Sequence, residues 1–262
     1  MSSENEPGCF AVTAERKYYH RGDAFIKRSL RPREFRTGYK GLHVPRSGNE
    51  RLKNEADCMT FVQQNTDVPV PKLYCDFEDD GAYYLIMEYV EGVGMNDLTE
   101  VQKLVVKDEL RRHLDTLHSL TSDRLGGPGG LVIPPYRVTL HIDNDTWTPT
   151  PSQNEDLVFC HNDLSQPNIV VDPESLKITA ILDWEYAGFY PLYFEGAFYE
   201  RLGPSCAIKE EPDDSQKLLE YMLSKQAVPS EVGDPPPPEN SITTLDDHQA
   251  AEPAHEETEN ET

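Results

Sequence analysis

The chain has 262 residues, room for one large domain or two lobes sharing a cleft, with 47 acidic against 24 basic side chains and a formal net charge of −23. That balance excludes the basic footprint of a nucleic-acid or anionic-membrane binder, and no apolar run approaches the ~20 residues that span a bilayer. Five scattered cysteines (Cys9, Cys58, Cys75, Cys160, Cys206) without a C-x-x-C pair fit a reducing compartment and give no zinc site, and Met1–Glu6 has no signal-peptide pattern, so the expectation is a cytoplasmic monomer without nucleic-acid or membrane partners.

Residues 1–90 read as short strands and one helix. Tyr18-Tyr19-His20, Arg21-Gly22-Asp23 and Ala24-Phe25-Ile26-Lys27 form a hairpin pattern around a Gly-Asp turn. A basic loop covers Arg28 to Arg46. Leu52, Ala56, Met59 and Val62 recur at helical spacing within Asn49 to Gln64, and Val68-Pro69-Val70-Pro71 ends that helix. Leu73 to Phe77 and Ala82 to Tyr89 are strand-like, joined by Glu78-Asp79-Asp80-Gly81.

Residues 91–225 open with a second helix. Thr99 is its candidate N-cap, and Val101, Leu104, Val105, Leu110, Leu114 and Leu117 form its apolar face. Gly126 to Gly130 breaks regular structure, and a Pro- and Thr-rich loop runs to about 155. Leu157 to Cys160, Ile169 to Val171 and Lys177 to Leu182 read as buried strands, the last two linked by the turn residues Asp172-Pro173-Glu174-Ser175. A closing helix fits Ser215 to Lys225. The tail, 226–262, holds ten acidic residues, no Lys or Arg and a run of prolines from Pro235 to Pro238, a composition expected to be disordered.

The chemistry is concentrated in His161-Asn162-Asp163-Leu164-Ser165-Gln166-Pro167-Asn168, directly after an apolar strand, and in Asp183, fifteen residues beyond Asn168 at the end of another. The intervening hairpin returns the chain, so Asn168 and Asp183 face one open end with Asp163. A magnesium ion beside nucleotide phosphates needs few hard oxygen ligands from the protein, and Asn168 and Asp183 supply two. Asp163 is then the group that accepts the proton of an attacking hydroxyl, and His161 braces the loop. An isolated H-x-D-x-x-x-x-N match arises by chance in about one chain in a hundred; here it coincides with a strand, a hairpin and a third acid.

Phe159-Cys160-His161-Asn162-Asp163 through Ile181-Leu182-Asp183-Trp184-Glu185-Tyr186-Ala187-Gly188 resembles the aminoglycoside phosphotransferase and choline kinase-like family, in particular fungal members carrying Asp-Trp-Glu where protein kinases have Asp-Phe-Gly. The resemblance covers roughly residues 16 to 225. It implies an α+β, protein-kinase-like two-lobe fold, with a small strand-rich N-lobe (1–90), a larger helical C-lobe (91–225) and ATP between them. By position, Asp163 resembles the catalytic base, and Asn168 and Asp183 resemble the Mg2+ ligands. Ala24-Phe25-Ile26-Lys27 resembles the strand whose lysine contacts the α and β phosphates. Its carboxylate partner is expected on the following helix, Glu55 ahead of Glu50. Glu88, Tyr89 and Val90 resemble the hinge whose backbone reads adenine, and Pro191 to Glu195 resembles the start of the next helix. The implied activity is ATP- and Mg2+-dependent phosphorylation of a hydroxyl on a small-molecule substrate.

Two other readings stay open. A protein kinase fits poorly, because Ala187 to Pro191 leaves no room for an activation segment and Ala-Pro-Glu is missing. A non-catalytic kinase-like binding module is favoured by one departure from the pattern: upstream of Lys27 there is no G-x-G-x-x-G, only Gly8 and Gly22.

Overall fold

Five antiparallel strands form the first layer, in the order β1-β2-β3-β7-β6: β1 (Cys9–Val12), β2 (Arg16–Arg21), β3 (Ala24–Ser29), β6 (Leu73–Asp79) and β7 (Ala82–Glu88). The computed structural model describes residues 6–149 and 157–226; apart from Gln226, the expected tail lies outside the described residues. Two-residue turns fix the register. Arg21 faces Ala24 across Gly22-Asp23, and Asp79 faces Ala82 across Asp80-Gly81. Asp80 and Gly81 both have positive φ, 52° and 72°, the geometry of a type I′ hairpin turn, which aspartate and glycine tolerate best.

Between β3 and α1 (Gly48–Asn65) the expected basic loop contains a small solvent-exposed hairpin, β4 (Arg36–Gly38) and β5 (Gly41–His43). Helix α1 forms where its spacing predicts. Leu52, Ala56, Met59 and Val62 are buried in a core cluster that also takes in Leu85 and Met87 of the sheet.

The second layer is less helical than the resemblance implies. After β8 (Val93–Gly94) comes α2 (Glu100–His118), with Thr99 as its N-cap in a capping box with Gln102. The buried stripe of α2 is Val106, Leu110, Leu114 and Leu117, whereas Val101, Leu104 and Val105 are exposed. Apolar spacing located the helix but not its inner face: Val101, Leu104 and Val105 lie opposite the buried side, which instead takes Lys103 and Lys107.

Next come β9 (Thr121–Ser122), the one-turn α3 (Tyr136–Thr139), β10 (Leu157–Cys160), β11 (Ile169–Val171), β12 (Ile178–Ile181), β13 (Gly188–Tyr190) and α4 (Ser215–Lys225). They make two small antiparallel sheets, β13-β10-β9 and β12-β11-β8. Gly188 is required where β13 meets the glycine-rich loop, since a Cβ there would stand 2.6 Å from the Gly126 backbone. The helix expected to start at Pro191–Glu195 is replaced by two short 3-10 turns, Leu192–Phe194 and Phe198–Glu200, with Gly196 between them. Among the described residues, no helix is long and apolar enough to cross a membrane.

Candidate active site

The loop after β10 is held from both sides. Glu195 accepts the amides of His161 and Asn162, at 2.6 and 3.2 Å, and the Asn162 side chain donates to Tyr186 O at 2.9 Å. His161 Nε2 lies 2.9 Å from Leu182 O, and its Nδ1 accepts the Asp163 amide at 3.2 Å. Those partners fix the neutral tautomer with its proton on Nε2, and burial pushes the ring pKa below its ordinary value. His161 thus joins the start of the loop to Leu182.

Asn168 sits where the two strands meet. Its side-chain Nδ2 donates to Asp163 O at 2.8 Å, and its carbonyl accepts the Leu182 amide at 2.8 Å. This orients the amide so that Oδ1 is left without a donor among the described residues. Asp183 follows immediately, in the left-handed region at φ 62°, ψ 55°, a conformation uncommon outside glycine and frequent at functional sites. One of its oxygens is ion-paired with Lys27, and no hydrogen bond is taken up by the other among the described residues. Asn168 Oδ1 and the second Asp183 oxygen are therefore two hard oxygen donors on adjacent strand ends, the set that fits Mg2+.

Lys27, on β3, also contacts Glu55 Oε1 at 2.5 Å, which selects Glu55 over Glu50. Burial opposes the charge on Lys27, but Asp183 and Glu55 more than offset it and raise its pKa, so it stays protonated. Burial pushes the Glu55 carboxyl up, with Lys27 opposing. Against burial, Lys27 and Arg16 hold Asp183 below the ordinary carboxylate range. Asp163 differs. Burial, opposed by the Ser205 hydroxyl and reinforced by Asp183 and Glu185, pushes its pKa up to about 7. A carboxylate poised there can accept a proton near neutral pH.

The model of the phosphotransferase enzyme family (APH) matches residues 138–199, the stretch that holds this loop and the Asp-Trp-Glu. The chain is 26% identical over 165 residues to aminoglycoside 3'-phosphotransferase of Streptomyces fradiae, covering 53% of this chain and 60% of the relative. It is 41% identical over 44 residues to probable choline kinase 3 of Arabidopsis thaliana, covering 17% and 12%. Among solved structures, aminoglycoside phosphotransferase APH(3'')-Id of Streptomyces rimosus superposes with a TM-score of 0.52 at 16% identity, covering 86% of this chain and 87% of that one. Over these stretches the chain is similar to aminoglycoside phosphotransferases. Its fold is the α+β, protein-kinase-like fold of those enzymes. The chain spans 60% and 61% of the length of the two Streptomyces 3'-phosphotransferases it matches.

In the segment expected as the hinge, some backbone groups are already engaged. The Glu88 amide bonds Lys72 O at 2.9 Å and the Tyr89 amide bonds Asp23 O at 2.7 Å, so neither N–H is free. The Tyr89 ring instead stacks on His20, with centroids 4.1 Å apart. Among the described residues, the Val90 amide carries no hydrogen bond.

Several residues packed around this loop escaped the sequence reading. Glu185 pairs with Arg16 at the start of β2 and with Arg51 Nε of α1 at 3.1 Å. Arg51 also donates to Tyr186 OH at 2.8 Å and pairs with Glu15. These pairs pin the β1–β2 turn, where a glycine-rich loop was sought, to the Asp-Trp-Glu segment. Glu195 was visible only as part of a helix start. Its ligand atoms lie within 4.8 Å of those of His118 and Cys160, but both its oxygens already serve the loop amides.

Proposed function

We propose that this chain is an ATP- and Mg2+-dependent phosphotransferase acting on a hydroxyl of a small molecule, with Asp163 as catalytic base. The carrying observation is the convergence of Asp163, Asn168 and Asp183 with the Lys27–Glu55 pair. Residues 1–90 and 91–225 are the two lobes in this reading. The relatives' names make an aminoglycoside the first acceptor to test. A structure of the Streptomyces rimosus enzyme was obtained in complex with ADP and streptomycin.

Magnesium, held by Asn168 and Asp183, supplies charge neutralisation of the nucleotide phosphates. Lys27, kept charged and directed by Glu55, holds the phosphates. The Val90 amide is the hinge group available to the adenine. Asp163 orients the acceptor hydroxyl and takes its proton as the phosphoryl group is transferred; His161, Asn168 and Glu195 fix the backbone that carries it.

Calorimetric titration with ATP tests the metal half of this reading. Binding should need Mg2+, be lost with excess EDTA and lose its magnesium dependence in Asp183→Ala. Equal affinity with EDTA contradicts it.

One observation favours a second reading, a kinase-like binding module. The turn between β1 and β2, Thr13-Ala14-Glu15, has no glycine and is held down through Glu15–Arg51 and Arg16–Glu185. Such a module binds nucleotide without turnover to any acceptor.

A further inference from the structure

Strand register brings the end of α2 beside the strand that leads into the catalytic loop. β9 starts two residues after α2 and pairs with β10, Leu157 facing Ser122 and Val158 facing Thr121. The Phe159 amide then donates to Leu120 O at 3.1 Å, which carries Cys160 toward His118, the last residue of the helix. On its other edge β10 pairs with β13, and the chain returns through the 3-10 turn Leu192–Phe194 to Glu195. The ligand atoms of His118, Cys160 and Glu195 consequently all lie within 4.8 Å of one another.

Each of the three has bonding capacity left. His118 Nε2 is enclosed by protein yet has no hydrogen-bond partner among the described residues. Glu195 Oε2, 3.8 Å away, is too far for one, although buried polar atoms ordinarily find a partner. Cys160 is fully buried, and its Sγ makes only weak contacts with the carbonyls of Val158, Tyr190 and Pro191, at 3.6–3.9 Å. Each Glu195 oxygen accepts one loop amide, but an ionised carboxylate has about four acceptor positions, so others stay open. Imidazole, thiolate and carboxylate together suit Zn2+ and not Mg2+. Tetrahedral bonds of ~2.0–2.3 Å set ligand atoms about 3.3–3.7 Å apart, so the cluster need close by only about 1 Å.

We propose that His118, Cys160 and Glu195 form a zinc site, separate from Asn168 and Asp183, with water in the fourth position. The inference does not depend on the reading of Asp163 as base. The His118 side chain is 21% exposed, which gives the ion and its water a way in. On binding, the Cys160 thiol loses its proton to solvent, and the thiolate sulfur, His118 Nε2 and one Glu195 oxygen each donate an electron pair to Zn2+. The ion then joins the end of α2 to the strand before the catalytic loop and to the carboxylate that holds the loop amides.

The test uses the full chain, stripped of metal with EDTA and exchanged into chelator-free buffer. Titration with Co2+ should give the thiolate-to-cobalt charge-transfer band and the visible bands of a tetrahedral ion, saturating at one Co2+ per chain. Zn2+ should erase these bands and raise the melting temperature, and excess Mg2+ should do neither. Cys160→Ala should remove the charge-transfer band. His118→Gln and Glu195→Gln should each weaken Zn2+ binding by more than the ~10–100-fold that loss of an outer-shell partner costs. Changing Cys9, Cys75 and Cys206 together to alanine should leave band and affinity intact. A melt without metal checks that each variant is folded, and His118→Gln, on a partly exposed side chain, decides the matter should Cys160→Ala fail to fold. No charge-transfer band, its survival in Cys160→Ala, its loss in the triple variant, or Zn2+ affinity unchanged in His118→Gln or Glu195→Gln overturns the proposal and leaves the phosphotransferase reading standing.

Discussion

Lys27→Met removes a buried cation while keeping most of the side chain's length, and the outcome depends on where its two carboxylates sit. The Lys27 side chain is 4% exposed, that of Glu55 0% and that of Asp183 39%. Glu55 Oε1 would lose its lysine, and Oε2 already has no partner. Asp183 can be rehydrated and contributes little to the deficit. Stranding one member of a buried pair costs about 3–5 kcal/mol, a large share of the ~5–15 kcal/mol that holds a domain folded. The deficit should depend on pH. Burial raises the Glu55 pKa above its ordinary 4.5 even with Lys27 present, and removing the cation raises it further. The native state then binds more protons than the unfolded chain, so stability is fully retained below the unfolded pKa and lost as pH rises through the folded one. Urea unfolding should therefore show the full deficit at pH 8 and a smaller one near pH 5. Adding Glu55→Leu to Lys27→Met removes the stranded charge and should recover at least half of the loss at pH 8, without restoring ATP binding. A pH-independent deficit below about 1 kcal/mol, the range of an exposed pair, would refute the reasoning.

Three further outcomes follow from the same geometry. With a small-molecule acceptor, kcat/KM should rise with pH and level off above about 7, because the raised pKa of Asp163 leaves it protonated at lower pH; the pH profile of Asp163→Asn should lack that limb. Glu195→Ala orphans the amides of His161 and Asn162, at about 1–3 kcal/mol for each group left buried. Steady-state kinetics should show kcat falling more than the KM for ATP rises, since the displaced loop carries Asp163 and not Lys27. Arg137→Met should lower stability by about 1–3 kcal/mol by leaving Phe194 O and Asp214 without their donor, whereas Arg33→Met on the exposed surface should change it by less than about 0.5 kcal/mol in the same urea titration.

Local signals made much of the molecule legible. Helix α1 follows from four apolar residues at 3.6-residue spacing, and the Asp163 loop from a motif lodged between two apolar strands. The capping box at Thr99 and the turn at Gly22-Asp23 are equally local. What stayed hidden depends on partners distant in sequence. Glu185 meets Arg16 and Arg51 only after folding, and neither arginine differs locally from a surface residue. Val101, Leu104 and Val105 are exposed because they lie on the outer face of α2, while Lys103 and Lys107, which an apolar count passes over, are buried on the inner one. Strands β8, β9 and β13 have two or three residues each, too few for an alternation to register. At the hinge, resemblance located the segment, but the bonds from Glu88 to Lys72 and from Tyr89 to Asp23 depend on how the turns at either edge fold.

The most direct measurement is ATP consumption by the full chain against a panel of small hydroxylated acceptors that includes aminoglycosides, with Asp163→Asn as the comparison. Magnesium-dependent ADP release that requires one acceptor, yields its phosphate ester and falls about 10²–10⁴-fold in Asp163→Asn with nucleotide affinity unchanged is the expected result. Nucleotide binding with no transfer to any acceptor, and no difference between the wild type and Asp163→Asn, would contradict the catalytic assignment.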